Sequence, residues 1–98
     1  MKNIQVELLS DSINAVILKT PGRNYPGMVI QGDNLKHLYN LAEKILQLAE
    51  AGAKHEDIED ISGMLFDDLN ERIRFYEMVL DSYGLELPYP NRVSEMGA

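Results

Sequence analysis

The residues whose types could do chemistry are two histidines and two groups of acids. His37 and His55 are the only histidines of the chain. His37 falls on the polar face of an amphipathic run. His55 stands beside Glu56, Asp57, Glu59 and Asp60. Metal ligation and proton transfer both need convergent partners. No second histidine stands one turn away to complete a helical metal pair, so both histidines are expected on solvated surface. The run Glu56-Asp57-Ile58-Glu59-Asp60 is cation-binding in composition only. A calcium loop needs interleaved ligands and a mid-loop glycine. Acids at a helix start answer the positive end of the helix dipole instead. Asp67, Asp68 and Glu71 hint at a hydrolytic carboxylate pair. Adjacent helical positions do not face each other, so these too are expected in water.

Two further candidates lie on one stretch, Thr20 to Asn34. Pro21-Gly22-Arg23 and Gly32-Asp33 are too sparse to cradle a phosphate, and there is no GxGxxG or Walker pattern. Asp33 would itself repel an anion. Arg23 and Tyr25 read differently. A cation and an aromatic on one exposed loop suit a recognition surface, because both types are enriched at interface hot spots. The competing reading is that Tyr25 merely covers an edge of the core. No catalytic residue, cofactor or metal site is expected.

Composition bounds the rest. With 98 residues, 45% of them hydrophobic, the chain makes one domain with one core. There is no cysteine, so disulfides and thiolate chemistry are excluded. That fits a reducing cytoplasm. Met1 to Glu7 has no apolar h-region, and no apolar run spans a bilayer, so neither a signal peptide nor a membrane segment is expected. Sixteen acids face nine bases, for a formal charge of −7. Such a surface repels phosphates, which argues against direct nucleic-acid binding; the acidity first of all keeps a small protein soluble, and the sharper reading is a partner with a basic face.

The elements that must position Arg23 and Tyr25 follow from periodicity. Ile4, Val6 and Leu8 alternate with Gln5 and Glu7, the pattern of a half-buried strand over 4–9. Ser10-Asp11-Ser12 has turn chemistry. Ile13 to Thr20 is nearly all apolar and reads as a central strand, pairing with the first as an antiparallel hairpin. Pro21-Gly22 ends it. Pro26-Gly27 enters a third short strand, Met28 to Gln31, with the proline at its start because it lacks a ladder donor. Gln31-Gly32-Asp33 turns into a helix, with Asp33 as its N-cap.

In the first helix Leu35, Leu38, Ala42, Ile45, Leu46 and Ala49 recur at helical spacing, widened by Leu41 and Leu48. Gly52 suits the left-handed residue after its end. The second helix lasts to about Tyr83, with Ile58, Ile61, Leu65, Leu69, Ile73, Tyr76, Leu80 and Tyr83 on one face. Met64, Phe66, Phe75 and Val79 lie partly off that face. The surplus apolar surface makes self-association through this helix an expectation. Gly63 marks a candidate kink, and Gly84 a second helix end. Leu85 to Pro90 is extended by its prolines and packs back on the domain. The prediction is therefore one α+β domain over 1–90, in the order β-β-β-α-α, with two helices on one face of a three-stranded antiparallel sheet. Residues 91–98 read as a flexible tail.

Pro26-Gly27, then Gln31-Gly32-Asp33, then Leu35 and a helix carrying Ala42-Glu43 resembles the HicB antitoxin domain over residues 4–50. The whole chain, including Pro21-Gly22-Arg23 and Leu87-Pro88-Tyr89, also resembles a bacterial family of small domains of unknown function. The HicB resemblance implies a partial ribonuclease-H-like fold without its catalytic acids, one that binds and occludes a small RNA-cleaving toxin. Two features depart from that family: residues 53–83 read as one long acidic helix, and the first hairpin lacks the usual aromatics. The functional expectation is a non-enzymatic protein–protein interaction module, antitoxin-like or immunity-like, that meets a basic partner through Arg23 and Tyr25. Its alternative is a small accessory or scaffold protein that forms a homodimer or higher homo-oligomer. A small-ligand protein or enzyme comes third. Pro26, Gly27, Gln31, Gly32 and Asp33 are expected to serve the turn and helix cap.

Overall fold

β-branched and leucine side chains concentrated over Ala15–Lys19 make the central strand of a three-stranded antiparallel sheet of order β1-β2-β3. The structure is a computed structural model describing residues 1–12 and 15–94. Its elements are β1 (Glu7–Ser12), β2 (Ala15–Lys19), β3 (Gly27–Met28), α1 (Gly32–Glu50) and α2 (His55–Ser82). The α+β order β-β-β-α-α is as the sequence pattern predicts. The chain divides into two compact units. One comprises residues 1–30 and 72–98, the other residues 31–71.

The first unit holds the sheet and the second half of α2. Its core is Ile17, Tyr76, Val79 and Leu80, packed about by Leu9, Met28, Phe75, Leu87 and Tyr89. Ile17 and Leu80 are fully buried. Leu87 and Tyr89 bring the proline-extended segment back onto the core as expected.

The hairpin is displaced from its predicted position. The strand expected over 4–9 runs over Glu7–Ser12, and its register shifts between Leu8 and Ser10. This β-bulge leaves Leu9 between two paired residues and reverses the alternation that Ile4, Val6 and Leu8 suggest. Leu9 turns to the core, while Ile4, Val6 and Leu8 are exposed. Ser10, Asp11 and Ser12, expected in a turn, pair with Ile17, Val16 and Ala15. Ile13 and Asn14, expected at the start of the second strand, lie outside the described residues. Tyr83 secures the bulge by donating its hydroxyl to the Leu9 carbonyl at 3.1 Å.

The third strand is also shorter than its apolar run. Only Gly27 and Met28 form it, opposite Leu18 and Ile17, although the Val29 amide still donates to the Val16 carbonyl at 2.8 Å. Val29 and Ile30 are exposed, since the chain leaves the ladder to enter α1.

The second unit is α1, the turn at 51–54 and α2 as far as Glu71. The cap of α1 is Gln31, whose extended backbone (φ −64°, ψ 149°) precedes the first helical residue and whose side chain makes no cap bond. Asp33, expected at that position, lies inside the first turn. Its carboxylate accepts the Asn34 amide at 2.8 Å, so it still satisfies one orphan helical donor near the positive end of the dipole. Gly52 (φ +67°) and Gly84 (φ +66°) close α1 and α2 with the same paired bonds: Ala53 to Leu48 and Gly52 to Ala49, then Leu85 to Leu80 and Gly84 to Asp81. α2 runs unbroken for 28 residues, so the chain does not break at Gly63.

Candidate functional site

Loop residues between β2 and β3 are held by three devices, two of them local and one reaching from α2. Thr20-Pro21-Gly22-Arg23 is a β-turn, closed by the Arg23 amide donating to the Thr20 carbonyl at 3.3 Å. Proline at its second position and Gly22 at its third (φ +82°) are the residues a type II turn demands. Pro26 is buried, and its carbonyl accepts the Tyr76 hydroxyl at 2.6 Å. Burial holds the Tyr76 phenol above its ordinary pKa, so it stays a donor throughout the physiological range. The strand pairing of Gly27 and Met28 fixes the far end.

Between these anchors Arg23, Asn24 and Tyr25 stand exposed. They border an open groove of about 610 Å³, lined also by Leu18, Met28, Val29 and Pro88. Tyr25 also borders a smaller depression on its other side, with Lys19 and Glu86. The sequence thus identified two residues that the fold brings to one groove. Tyr25 is 42% exposed, so it does not simply seal the core edge.

The groove has a further feature that the sequence did not disclose. β3 is an edge strand. Because Val29 donates to Val16, the opposite pair Met28–Ile17 is a non-hydrogen-bonded one, and the Met28 amide and carbonyl face the open edge. The groove therefore combines a mixed polar and apolar lining, a cation, an aromatic ring and a backbone donor–acceptor pair that faces away from β2.

Of the remaining predicted residues, Gly27 and Pro26 support this groove, while Gln31, Gly32 and Asp33 form the start of α1 in the other unit. His55 pairs with Glu59 at 3.0 Å on exposed surface, a contact worth little in water. Among the described residues no group of three His, Asp or Glu side chains could hold a metal ion. Among the described residues no helix is long and apolar enough to cross a membrane.

The most unusual ionisable residue is one the sequence reading passed over. Glu77 is fully buried in α2, among Tyr76, Val79 and Leu80. Its carboxylate accepts from the Tyr89 hydroxyl at 2.7 Å, the Val93 amide at 2.9 Å, the Ser94 amide at 2.8 Å and the Ser94 hydroxyl. Burial alone would raise its pKa. The bonds from Ser94, Val93 and Tyr89 outweigh that and lower it to about 2. Tyr89 is raised in turn, by burial and by the carboxylate it serves. Arg92 pairs with Asp81 beside this cluster. Residues 92–94, read from the sequence as tail, are thus bonded to α2. The clue lay in one glutamate inside an apolar run, followed by a tyrosine and a serine on an extended segment.

A family model matches residues 1–89, so the chain belongs to the Family of unknown function (DUF6959). No curated protein and no solved structure matches it, and nothing in these comparisons bears on the HicB resemblance.

Proposed function

We propose that this member of a family of unknown function is a non-enzymatic protein-binding module, whose contact surface is the groove bordered by Arg23 and Tyr25. The observation that carries the reading is their convergence, with the open backbone edge at Met28, on one groove of mixed polar and apolar lining. Aromatic and arginine side chains are the types enriched at interface hot spots. A free strand edge adds main-chain hydrogen bonds to an extended segment of a partner. The loop is fixed before any partner arrives, which lowers the entropy lost on docking.

The formal charge of −7 favours approach by a protein with a basic face, through long-range steering rather than contact affinity. Nucleic acid is disfavoured by the same charge. A cytoplasmic place of action goes with a chain that has no cysteine. On the HicB-like version of this reading, the partner is a small RNA-cleaving toxin. Inhibition of RNA cleavage by that partner is then the direct assay.

The test compares the wild type with Arg23→Glu and Tyr25→Ala, each checked to be folded, as baits in lysate of the source cells. The expected result is a basic protein retained by the wild type and lost by both variants. Recovery of the same proteins by all three baits, or of none by the folded wild type, would overturn the proposal.

A further inference from the structure

α1 carries two apolar stripes, and the fold uses only one. Leu38, Leu41, Ile45 and Leu48 form the covered stripe, with Leu41 buried and the other three partly so. The second stripe is Leu35, Tyr39, Ala42, Leu46 and Ala49. All five are exposed, Leu35, Tyr39 and Leu46 by 57%, 55% and 59%. Their spacing of four, three, four and three is that of a coiled-coil seam. Leu41 is the one buried residue among the described residues of the 31–71 unit. A helical unit of this size, with so little core of its own, is the kind that oligomerisation completes.

We infer that the second stripe is a self-association surface, on which α1 of one copy packs antiparallel against α1 of another. The choice of a second copy rests on complementarity within the stripe itself. An antiparallel pair with its two-fold axis between Asn40 and Leu41 sets Leu35 of each copy against Leu46 of the other. Tyr39 of each copy then meets the small Ala42. The same register brings Lys36 of each copy alongside Glu43 of the other, so two opposite-charge pairs flank the seam. Both side chains are exposed and already positioned at the seam. The Lys36 Nζ lies 4.6 Å from the centre of the Tyr39 ring, and the Tyr39 hydroxyl bonds Glu43 at 3.2 Å.

The alternatives complement less well. Sliding the antiparallel pair by one heptad places Glu43 against its own copy and meets Tyr39 with Ala49. A parallel pair stacks Tyr39 on Tyr39 and leaves Lys36 and Glu43 without opposite charges across the seam. Size and charge therefore select one arrangement from the set, as the flanking charges of coiled coils do. The surface is isologous, which closes the assembly at two copies. It lies on α1, not on the surplus face of α2 that the sequence pointed to, and it does not involve Arg23 or Tyr25.

The test is sedimentation of the full chain at micromolar concentration, with helix content followed by circular dichroism. The wild type is expected to be a dimer, and Leu46→Glu a folded monomer. Lys36→Glu and Glu43→Lys, both at exposed positions, should each weaken dimerisation by about tenfold. The double exchange should return it to within about threefold of wild type, because the pair is restored with opposite sign. A wild type that stays monomeric overturns the inference. So does a Leu46→Glu variant that dimerises like wild type, or a double exchange no better than either single one.

Discussion

Tyr76 donates its hydroxyl to the carbonyl of Pro26 at 2.6 Å, across 50 residues of sequence, and both groups are buried. This bond joins the middle of the core to the loop that carries Arg23 and Tyr25. Tyr76→Phe keeps the ring and its packing but leaves the Pro26 carbonyl unpaired. The expected cost is about 1–3 kcal/mol, read as a lower midpoint in urea. Amide exchange at 23–27 should quicken more than at β2. Equal change in both places would mean that the bond supports the core and not the loop.

Glu77 gives a pH signature with a definite sign. Its pKa falls from an ordinary 4.5 to about 2 in the folded protein. The contribution is therefore complete above about pH 4.5 and is lost as pH falls towards 2. Glu77→Gln should cost about 1.5–3 kcal/mol at neutral pH, since it removes a charged acceptor from four donors. The gap between the two proteins should narrow steadily across that acid window in urea titrations. A gap that stays constant from neutral to acid pH would remove the charge from the explanation.

The clamp at Glu77 also predicts a local effect. Ser94→Ala removes one of its four donors, and the remaining three hold the carboxylate. The expected loss is about 0.5–1.5 kcal/mol, with faster exchange of the Val93 amide as the readout. No change at Val93 would show that the segment is held by Leu87 and Tyr89 packing alone.

Leu80→Ala empties a fully buried site in contact with the sheet. It should destabilise by about 2–5 kcal/mol, one of the largest single-residue effects in the chain. Exposed Leu69, assigned by periodicity to the same stripe, should tolerate alanine at about 0.5 kcal/mol or less. Thermal melts of the two variants separate the stripe read from the sequence from the core as built.

Two glycines should respond in opposite directions. Gly22 holds φ +82° in its turn, so Gly22→Ala should destabilise by about 1–2 kcal/mol although nothing lies within 4 Å of the added carbon. Gly63 sits inside continuous helix with equally open space, so Gly63→Ala should stabilise by about 0.5–1 kcal/mol. A stabilised Gly22→Ala, measured by urea unfolding, would contradict the turn geometry.

Local features were legible because local chemistry causes them. Pro21-Gly22 specified its turn through ring geometry and a missing Cβ. Gly52 and Gly84 marked both helix ends for the same reason, and the two long apolar periodicities fixed α1 and α2 to within a residue or two. Arg23 and Tyr25 could be picked out as an exposed pair, because the turn and Pro26 that flank them are themselves local signals. The core-facing register of β1 was decided only in the tertiary structure. A bulge at Leu9 has no signature in the alternation of Ile4, Val6 and Leu8, and it becomes favourable only when Tyr83 and the core meet Leu9 from elsewhere in the chain. Glu77 looked like one more acid in an acidic helix. Its four donors come from Tyr89, Val93 and Ser94, and a carboxylate stays charged without water only where the fold delivers such donors together. The same holds for α1: sequence counted its apolar residues, but which stripe is covered and which is left to solvent depends on what the folded chain packs against it.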